Sequence, residues 1–269
     1  MTRIFTSKLA SAKAEPFHNL FYNSVLRPIE FHLPIVSSTN DYAKELLGSY
    51  PYVLVTAQHQ TAGRGRKGRH WHGDYGANIY ASVGLRHVDE IGADELSAYM
   101  GRGALGVLRV LKKHSPRVQF RLKYPNDVQA LTPEGWGKIA GILVEHEFHG
   151  SRCVSTVVGM GINVEQHEFP DTIAQRCTSL RLLDVGVAVS SLLNDLRDEM
   201  ADLMTRPWFD IHKIWVNELD MVDKELRLAD TEGIWKLHRI ASDGRLIVRN
   251  VVTQMERTVT DGDTVRYQD

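Results

Sequence analysis

The chain has 269 residues, of which 43% are hydrophobic and 24% are charged, and its formal net charge is −1 at pH 7. This composition is ordinary for a globular protein, and the length suits one large domain with a small one. The near-neutral charge argues against a protein whose main role is to coat nucleic acid, because such domains are usually strongly basic. No run reaches the length of a transmembrane helix and the N-terminus lacks the apolar block of a secretory signal, so we expect no membrane contact.

Two features bear on the cellular compartment. The two cysteines, Cys153 and Cys177, fall in different predicted elements and are expected to be reduced thiols, which favours the cytoplasm. Residues 1–28 show no convincing period and are predicted to form an N-terminal extension. Its first 14 residues carry cations but no acid, a bias shared by mitochondrial transit peptides and by disordered leaders, so a mitochondrial location is the alternative.

Residues 29–219 are predicted to form the large domain. Alternating apolar residues indicate strands, and apolar residues at helical spacing indicate helices. Serine, threonine and asparagine before residue 41 supply caps for the first helix. The segment 173–184 is ambiguous. The strands are expected at 29–36, 52–59, 77–85, 118–123, 138–148 and 154–164, and the helices at 38–47, 93–113, 189–204 and 208–219.

Residues 220–269 have a different character, with short β patterns separated by turn signals. Asp243-Gly244 and Asp261-Gly262 are dipeptides typical of hairpin turns. About fifty residues of this pattern predict a small C-terminal β-barrel. Its strands are expected at 225–229, 234–240, 246–249, 257–260 and 264–267.

The segment from Gln60 to Trp71 most needs a chemical explanation. It holds three glycines and four cations and ends on an aromatic residue. Glycine lets the backbone approach a ligand closely and the cations present a positive field, so the segment fits a phosphate-binding loop. A basic Gly-Arg run is also typical of a solvated loop or of a patch that holds nucleic acid by charge. Predicted strands on both sides would position this segment, which favours the phosphate loop. We expect the loop to be mobile when empty and ordered by ligand.

Four polar clusters lie at predicted strand ends or turns. Each cluster alone has an ordinary structural explanation as a helix cap, a solvated charge or a turn. Their occurrence together favours a functional site. We find no Ser-His-Asp or Cys-His arrangement and no zinc-binding spacing. The clusters are Ser38-Thr39-Asn40, Gln60–Trp71, Lys123–Asp127, and Lys138 with Gly159–Asn163.

These segments resemble, in order, the signature motifs of the biotin–protein ligases, also called holocarboxylase synthetases. The matching segments are Gly63–Arg69, Lys123–Asp127, Lys138–Glu145 and Gly159–Val164. Two departures are modest: Tyr124 stands where the family commonly has tryptophan, and Lys67 where arginine is frequent. Only about thirty residues precede the first predicted strand, so we expect no winged helix and no DNA binding.

The resemblance implies an α+β fold, in which a mixed β-sheet catalytic domain with helices, related to class II aminoacyl-tRNA synthetases, is followed by the C-terminal β-barrel. It implies that ATP, Mg²⁺ and biotin form biotinyl-5′-AMP, and that biotin then passes to a lysine of a biotin carboxyl carrier domain in a biotin-dependent carboxylase. A homodimer is compatible with the resemblance.

The resemblance also carries roles onto individual residues. Lys138 and Arg66 are expected to be catalytic, and Asp127 is the expected magnesium ligand. Biotin is expected to contact Ser38, Thr39, Asn40, Gln60, Gly63, Arg64, Lys138 and Gly141. ATP is expected to contact Arg64, Arg66, Arg69, Trp71, Lys123, Asn126, Lys138 and Asn163.

Three other functions stay open from the sequence. A lipoate–protein ligase uses similar chemistry, but its Arg-Arg-x-x-Gly-Gly-Gly type of segment is absent. A nucleic-acid-binding module would use the Gly-Arg loop and the C-terminal barrel. The third is a catalytically weak sensor that binds an acyl-adenylate.

Overall fold

The structure is a computed structural model that describes residues 27–174 and 176–267. The predicted N-terminal extension, residues 1–28, lies almost entirely outside the described residues. Within the described part of the chain, no helix is both long and apolar enough to span a bilayer.

A mixed seven-stranded sheet forms the centre of the molecule. Its strand order is β1-β2-β3-β7-β6-β5-β4, with β1 parallel to β2 and the other neighbours antiparallel. The sheet therefore confirms the mixed α and β character expected from the sequence. The strands are β1 (Ile29–Val36), β2 (Tyr52–Gln60), β3 (Asn78–Arg86), β4 (Phe120–Lys123), β5 (Asp127–Thr132), β6 (Gly135–His149) and β7 (Arg152–Asn163).

Helices cover one face of this sheet and form the main core with it. The long helix α2 approaches the sheet closely because of Gly103, where an added Cβ would lie 2.8 Å from Val158 Cγ1. Gly106 does the same toward the neighbouring helix, where the added Cβ would lie 2.6 Å from Met200 Sδ. The helices are α1 (Thr39–Leu46), α2 (Ala93–His114), the short α3 (Asp171–Ala174), α4 (Val189–Thr205) and α5 (Trp208–Leu219).

Among the described residues, the opposite face carries α1 and the Gly-Arg loop. Helix α1 buries Ala43 against Val53, Val55 and Val157 in a small separate core. Ser38 caps this helix as predicted, since its hydroxyl accepts a 3.4 Å hydrogen bond from the backbone N–H of Asp41. The rest of this face is left for polar residues.

Strand β5 was not predicted. The sequence places a proline corner before Asp127 and a turn over 132–137, whereas the structure has a β5–β6 hairpin whose turn is only Pro133 and Glu134. Gln129 in this strand is 7% exposed, between two buried apolar residues, so the strand lacks the alternation that signals a one-sided sheet. Asp127 therefore begins a strand and pairs with Gly141.

The predicted closed C-terminal barrel is wrong. The structure has an antiparallel five-stranded sheet in the order β11-β10-β9-β8-β12, and its two end strands are not paired with each other among the described residues. These end strands have four and three residues, which is too little ladder to close a barrel. The boundary at residue 220 stays a prediction. The strands are β8 (Glu225–Leu228), β9 (Thr231–Ile240), β10 (Leu246–Asn250), β11 (Glu256–Val259) and β12 (Val265–Tyr267).

Candidate active site

The predicted site residues meet on the face that carries α1, at one end of the central strands. Strand register explains the meeting: Gly141 of β6 pairs with Gly161 of β7, and Asn163 pairs with Asn78 of β3. Strand β2 ends beside them and leads into the Gly-Arg loop. Segments far apart in sequence thus face one another.

Trp71 lies in a slot above the paired glycines Gly141 and Gly161, which we call the glycine slot. A Cβ added to Gly161 would lie 2.5 Å from Trp71 Cε2, and one added to Gly141 would lie 2.8 Å from Cζ3. A larger residue at either of these two positions would displace the indole. The indole N–H is buried and has no hydrogen-bond partner among the described residues. A flat ring that leaves a buried donor unpaired is suited to contact a ligand.

Lys138 stands at the edge of the glycine slot. Its Nζ lies 5.4 Å from the centre of the Trp71 ring and 2.6 Å from Asp127 Oδ1. The backbone of Lys138 is fixed by the segment after α3, because its N–H donates to Arg176 O at 2.8 Å and its carbonyl accepts from Thr178 N at 2.9 Å. The ammonium group of Lys138 is therefore positioned by a backbone that is fixed through both its N–H and its carbonyl group.

Two asparagines border Lys138. The Asn163 amide donates to Thr178 O at 3.0 Å, but its Oδ1 is buried without a partner among the described residues. The Asn126 amide donates to Ile142 O at 2.9 Å, and its Oδ1 accepts from Arg66 Nη1 at 3.1 Å. Asn163 thus leaves an acceptor for a ligand, while Asn126 fixes the side chain of Arg66.

The Gly-Arg loop is folded back on itself. Gly65 N–H donates to Arg69 O at 2.7 Å, and Trp71 N–H donates to Gly63 O at 2.9 Å. Lys67 and Gly68 take positive φ values of 55° and 72° at the tip. These bonds place Trp71 over the sheet. Whether ligand orders the loop further stays a prediction.

The cations of the loop contact different parts of the chain. Arg64 pairs with carboxylates on α1 and β6, while Lys67 Nζ lies 2.6 Å from Asp261 of the C-terminal sheet. Arg66 lies 3.8 Å from the same Asp261. The C-terminal sheet is therefore part of the support for the loop.

The residues expected to meet biotin form a buried polar network. Thr39 N–H and Oγ1 donate to Gln60 Oε1 at 2.7 and 3.1 Å. Ser82 Oγ bonds to Thr39 Oγ1 at 2.7 Å and to Asn40 Oδ1 at 2.6 Å. The Asn40 amide donates to Leu143 O and to a carboxylate of β6, and a Cβ at Gly159 would overlap it. Asn40 is thus occupied within the protein, whereas Thr39 and Gln60 line the end of β2.

The remaining predicted residues lie at the rim. Lys123 ends β4 and pairs with Asp127 across the β4–β5 hairpin, and Arg69 lies exposed at the outer side of the loop. The surroundings of the site also contain residues that the sequence reasoning missed. Their signal was weak: Tyr80 and Ser82 lie on the same face of β3 as Asn78, Asp41 was read only as part of a helix cap, Glu145 only as the end of a motif, and Asp261 only as a turn residue. These missed residues are Asp41, Tyr80, Ser82, Glu145 and Asp261.

A preformed metal cluster is absent from the described residues, because no three His, Cys, Asp or Glu side chains gather around one point. Asp127 is a single carboxylate beside Lys138. Both cysteines are free thiols, as expected, with Cys153 buried.

Comparison with known proteins finds relatives of this chain. The chain is 30% identical over 190 residues to the bifunctional ligase/repressor BirA of Bacillus subtilis, a match of 67% of this chain and 56% of that protein. It is 39% identical over 141 residues to the biotin--[acetyl-CoA-carboxylase] ligase of Mycobacterium tuberculosis, covering 51% of this chain and 47% of that protein. The chain thus spans about half the length of these curated relatives.

The fold is also that of a solved structure. A biotin protein ligase from Aquifex aeolicus in complex with biotin and ATP superposes with a TM-score of 0.69 at 23% identity, covering 89% of this chain and 99% of that one. The profile of the family described as Biotin/lipoate A/B protein ligase matches residues 33–163. Residues 33–163 of this chain therefore resemble the biotin/lipoate A/B protein ligase family, and the chain shares the fold of a biotin protein ligase.

Proposed function

We propose that this protein is a biotin–protein ligase. Biotin and ATP form biotinyl-5′-AMP and pyrophosphate, and a lysine of a biotin carboxyl carrier domain then takes the biotinyl group as an amide. The observation that carries the proposal is the position of Lys138, whose Nζ lies at the glycine slot 2.6 Å from Asp127. The relative from Mycobacterium tuberculosis, which is named as a biotin--[acetyl-CoA-carboxylase] ligase, supports the choice of biotin as the acid.

The first step joins two anions. The biotin carboxylate attacks the α-phosphorus of ATP, and the bond to the leaving pyrophosphate breaks. Lys138 supplies a cation between the carboxylate and the α-phosphate, where charge builds in the transition state. Arg66, held by Asn126 at 3.1 Å, supplies a second cation on the phosphate side.

We assign the biotin rings to the side of the glycine slot that Thr39 and Gln60 line. The hydroxyl and amide groups of Thr39 and Gln60 suit the polar ureido group, and glycine lets the backbone approach the ligand. Ser38 would act through the helix cap that it forms, and Asn40 through its bonds to β3 and β6. A Cβ at Gly63 would lie 3.1 Å from Gln60 Nε2, so the start of the loop lies close against Gln60.

The ATP side lies along the loop and the β4–β5 corner. Trp71 offers a flat surface and an unpaired N–H to the nucleotide, and Asn163 Oδ1 offers an acceptor. Mg²⁺ is commonly held by one or two carboxylates together with substrate phosphates, so the single carboxylate of Asp127 is enough to hold it. When bound, the ion would neutralise phosphate charge. Lys123 and Arg69 would reach outer phosphate oxygens.

The second step needs orientation more than acid–base groups. The carrier lysine must arrive as a neutral amine, attack the acyl carbon and release AMP, which is a good leaving group. The protein holds the acyl-adenylate and excludes water while the carrier docks. No covalent intermediate with the enzyme is required.

Incubation with ATP, Mg²⁺, biotin and a purified biotin carboxyl carrier domain tests the proposal. We expect mass spectrometry to find one biotinylated lysine on that domain and none on a lipoyl domain treated in parallel. Modification of the lipoyl domain with lipoate, and none of the carrier with biotin, would instead assign the chain to the lipoate branch of the family.

A further inference from the structure

Arg64 of the Gly-Arg loop is paired through its guanidinium with two carboxylates that lie outside the loop. Its Nη1 and Nη2 both donate to the carboxylate of Asp41 in α1, the second at 2.7 Å. Nη2 also lies 3.3 Å from Glu145 Oε1 in β6. We call Asp41 and Glu145 the carboxylate pair. Two acids from two regular elements thus bind one loop arginine.

Counting donors shows what is left for a ligand. A guanidinium has five N–H groups, and two parallel bonds to one carboxylate make its strongest common geometry. In Arg64 both terminal nitrogens are directed to the carboxylate pair. Its Nε and one N–H of Nη1 remain. The two terminal nitrogens of Arg64, which could otherwise bind a phosphate in the same bidentate way, therefore already donate to carboxylates.

Glu145 is also held by partners outside the loop, and Asp41 lies in the first turn of α1. Glu145 Oε2 accepts from Asn40 Nδ2 at 2.7 Å, and Lys44 Nζ lies 3.1 Å from Oε1. Burial raises the pKa of Glu145, but the bonds from Asn40 and Lys44 outweigh it and the net pKa is lowered. The hydrogen bond from Arg64 lowers the pKa of Asp41, which also lies in the first turn of α1, where a negative charge is favoured. Both acids are therefore charged at neutral pH.

We propose that the Arg64 side chain is a positioning group, and that Asp41 and Glu145 are the residues that position it. The pair anchors the start of the loop to α1 and β6 and so holds Trp71 over the glycine slot beside Lys138. In this arrangement Arg66 contacts ATP and Arg64 does not. The inference rests on the proposed function for its catalytic consequence, but the anchoring itself does not.

A double-mutant cycle tests it. We expect Asp41→Asn and Arg64→Gln each to speed the release of biotinyl-5′-AMP from the enzyme about tenfold, the order for a bidentate, partly exposed ion pair, and to change kcat for its formation to the same extent in both variants. The double variant should be no worse than either single variant, because both remove the same anchor. Asp230→Asn is the matched control, since Asp230 pairs with Arg257 in the C-terminal sheet by a similar bidentate contact and should change nothing.

The second readout needs no activity. Without ligand, Asp41→Asn and Glu145→Gln should each raise the rate at which trypsin cuts between Arg66 and Arg69, relative to wild type and to Asp230→Asn. Unchanged cleavage in both variants would overturn the inference. Additive effects in the cycle, with Arg64→Gln lowering kcat far more than Asp41→Asn, would also overturn the inference. They would indicate that the Arg64 side chain contacts the ligand directly. A wild-type protein that forms no biotinyl-5′-AMP would refute the proposed function instead, and the cleavage result would still decide the anchor.

Discussion

Gly161→Ala perturbs the glycine slot with a single methyl group. The new Cβ would lie 2.5 Å from Trp71 Cε2, 2.7 Å from Cζ2 and 2.9 Å from Nε1. Ordinary contact begins near 3.4 Å, so the indole must retreat by 3.4 − 2.5 = 0.9 Å or more. The strand cannot retreat instead, because Gly161 is paired on both sides, with Tyr80 and with Gly141.

The displacement should reach the chemistry because Lys138 Nζ lies 5.4 Å from the same ring. A misplacement of about 1 Å in an active site costs up to about 100-fold in rate, so we expect kcat/KM for biotin in adenylate formation to fall 10- to 100-fold. Overpacking costs about 1–3 kcal/mol, and a surface loop absorbs part of it, so the fold should survive. Gly186→Ala is the matched control, since a Cβ there meets nothing within 4 Å. Full activity in Gly161→Ala would refute this view of the slot.

Four further changes have distinct outcomes. Lys138→Ala should abolish adenylate formation, a loss of at least about 100-fold, in an assay of biotin-dependent pyrophosphate exchange. Arg66→Gly should let biotinyl-5′-AMP escape, seen as biotin on lysines of an unrelated protein, and unchanged leakage would contradict its role. Asp261→Asn weakens an ion pair whose two side chains, Lys67 and Asp261, are 49% and 40% exposed. Because exposed pairs contribute little, KM for ATP should rise only a few-fold and kcat should stay unchanged. Burial, with His146 and Arg102 nearby, lowers the pKa of His87 to about 4 from 6.5. Because protonation of His87 therefore favours the unfolded chain, the free energy of unfolding of the wild type should fall by about 3 kcal/mol as the pH drops from 6.5 to 4. In denaturant unfolding, His87→Gln should not show this fall in the free energy of unfolding. Equal pH profiles for the variant and the wild type would show that His87 is not its cause.

Local periodicity was enough to predict most of the central domain. The helices at 93–113 and 208–219 bury one face, and the strands that pair in the middle of the sheet have clear apolar runs. Strand β5 was missed because Gln129 is buried, which removes the alternation. The closed barrel was predicted because hairpin signals specify neighbouring strands but not whether β11 reaches β12.

The site could be predicted as a set of segments but not as a set of contacts. Lys138, Asp127 and Trp71 lie together because the start of β5, the first part of β6 and the end of the loop meet at the same place. The partners of the loop cations come from distant positions: Arg64 meets Glu145 from 81 residues away, and Lys67 meets Asp261 from 194 residues away. No local pattern reports such pairs, since they depend on how α1 and the C-terminal sheet dock.

Biotin-dependent exchange of labelled pyrophosphate into ATP, with Mg²⁺ present, tests most directly whether this site activates biotin. Lipoate and octanoate, run beside it, report the competing acids, and Lys138→Ala reports the contribution of the site. We expect exchange with biotin alone, lost in Lys138→Ala. Exchange with lipoate but not biotin, or exchange that survives Lys138→Ala, would contradict the assignment of this site.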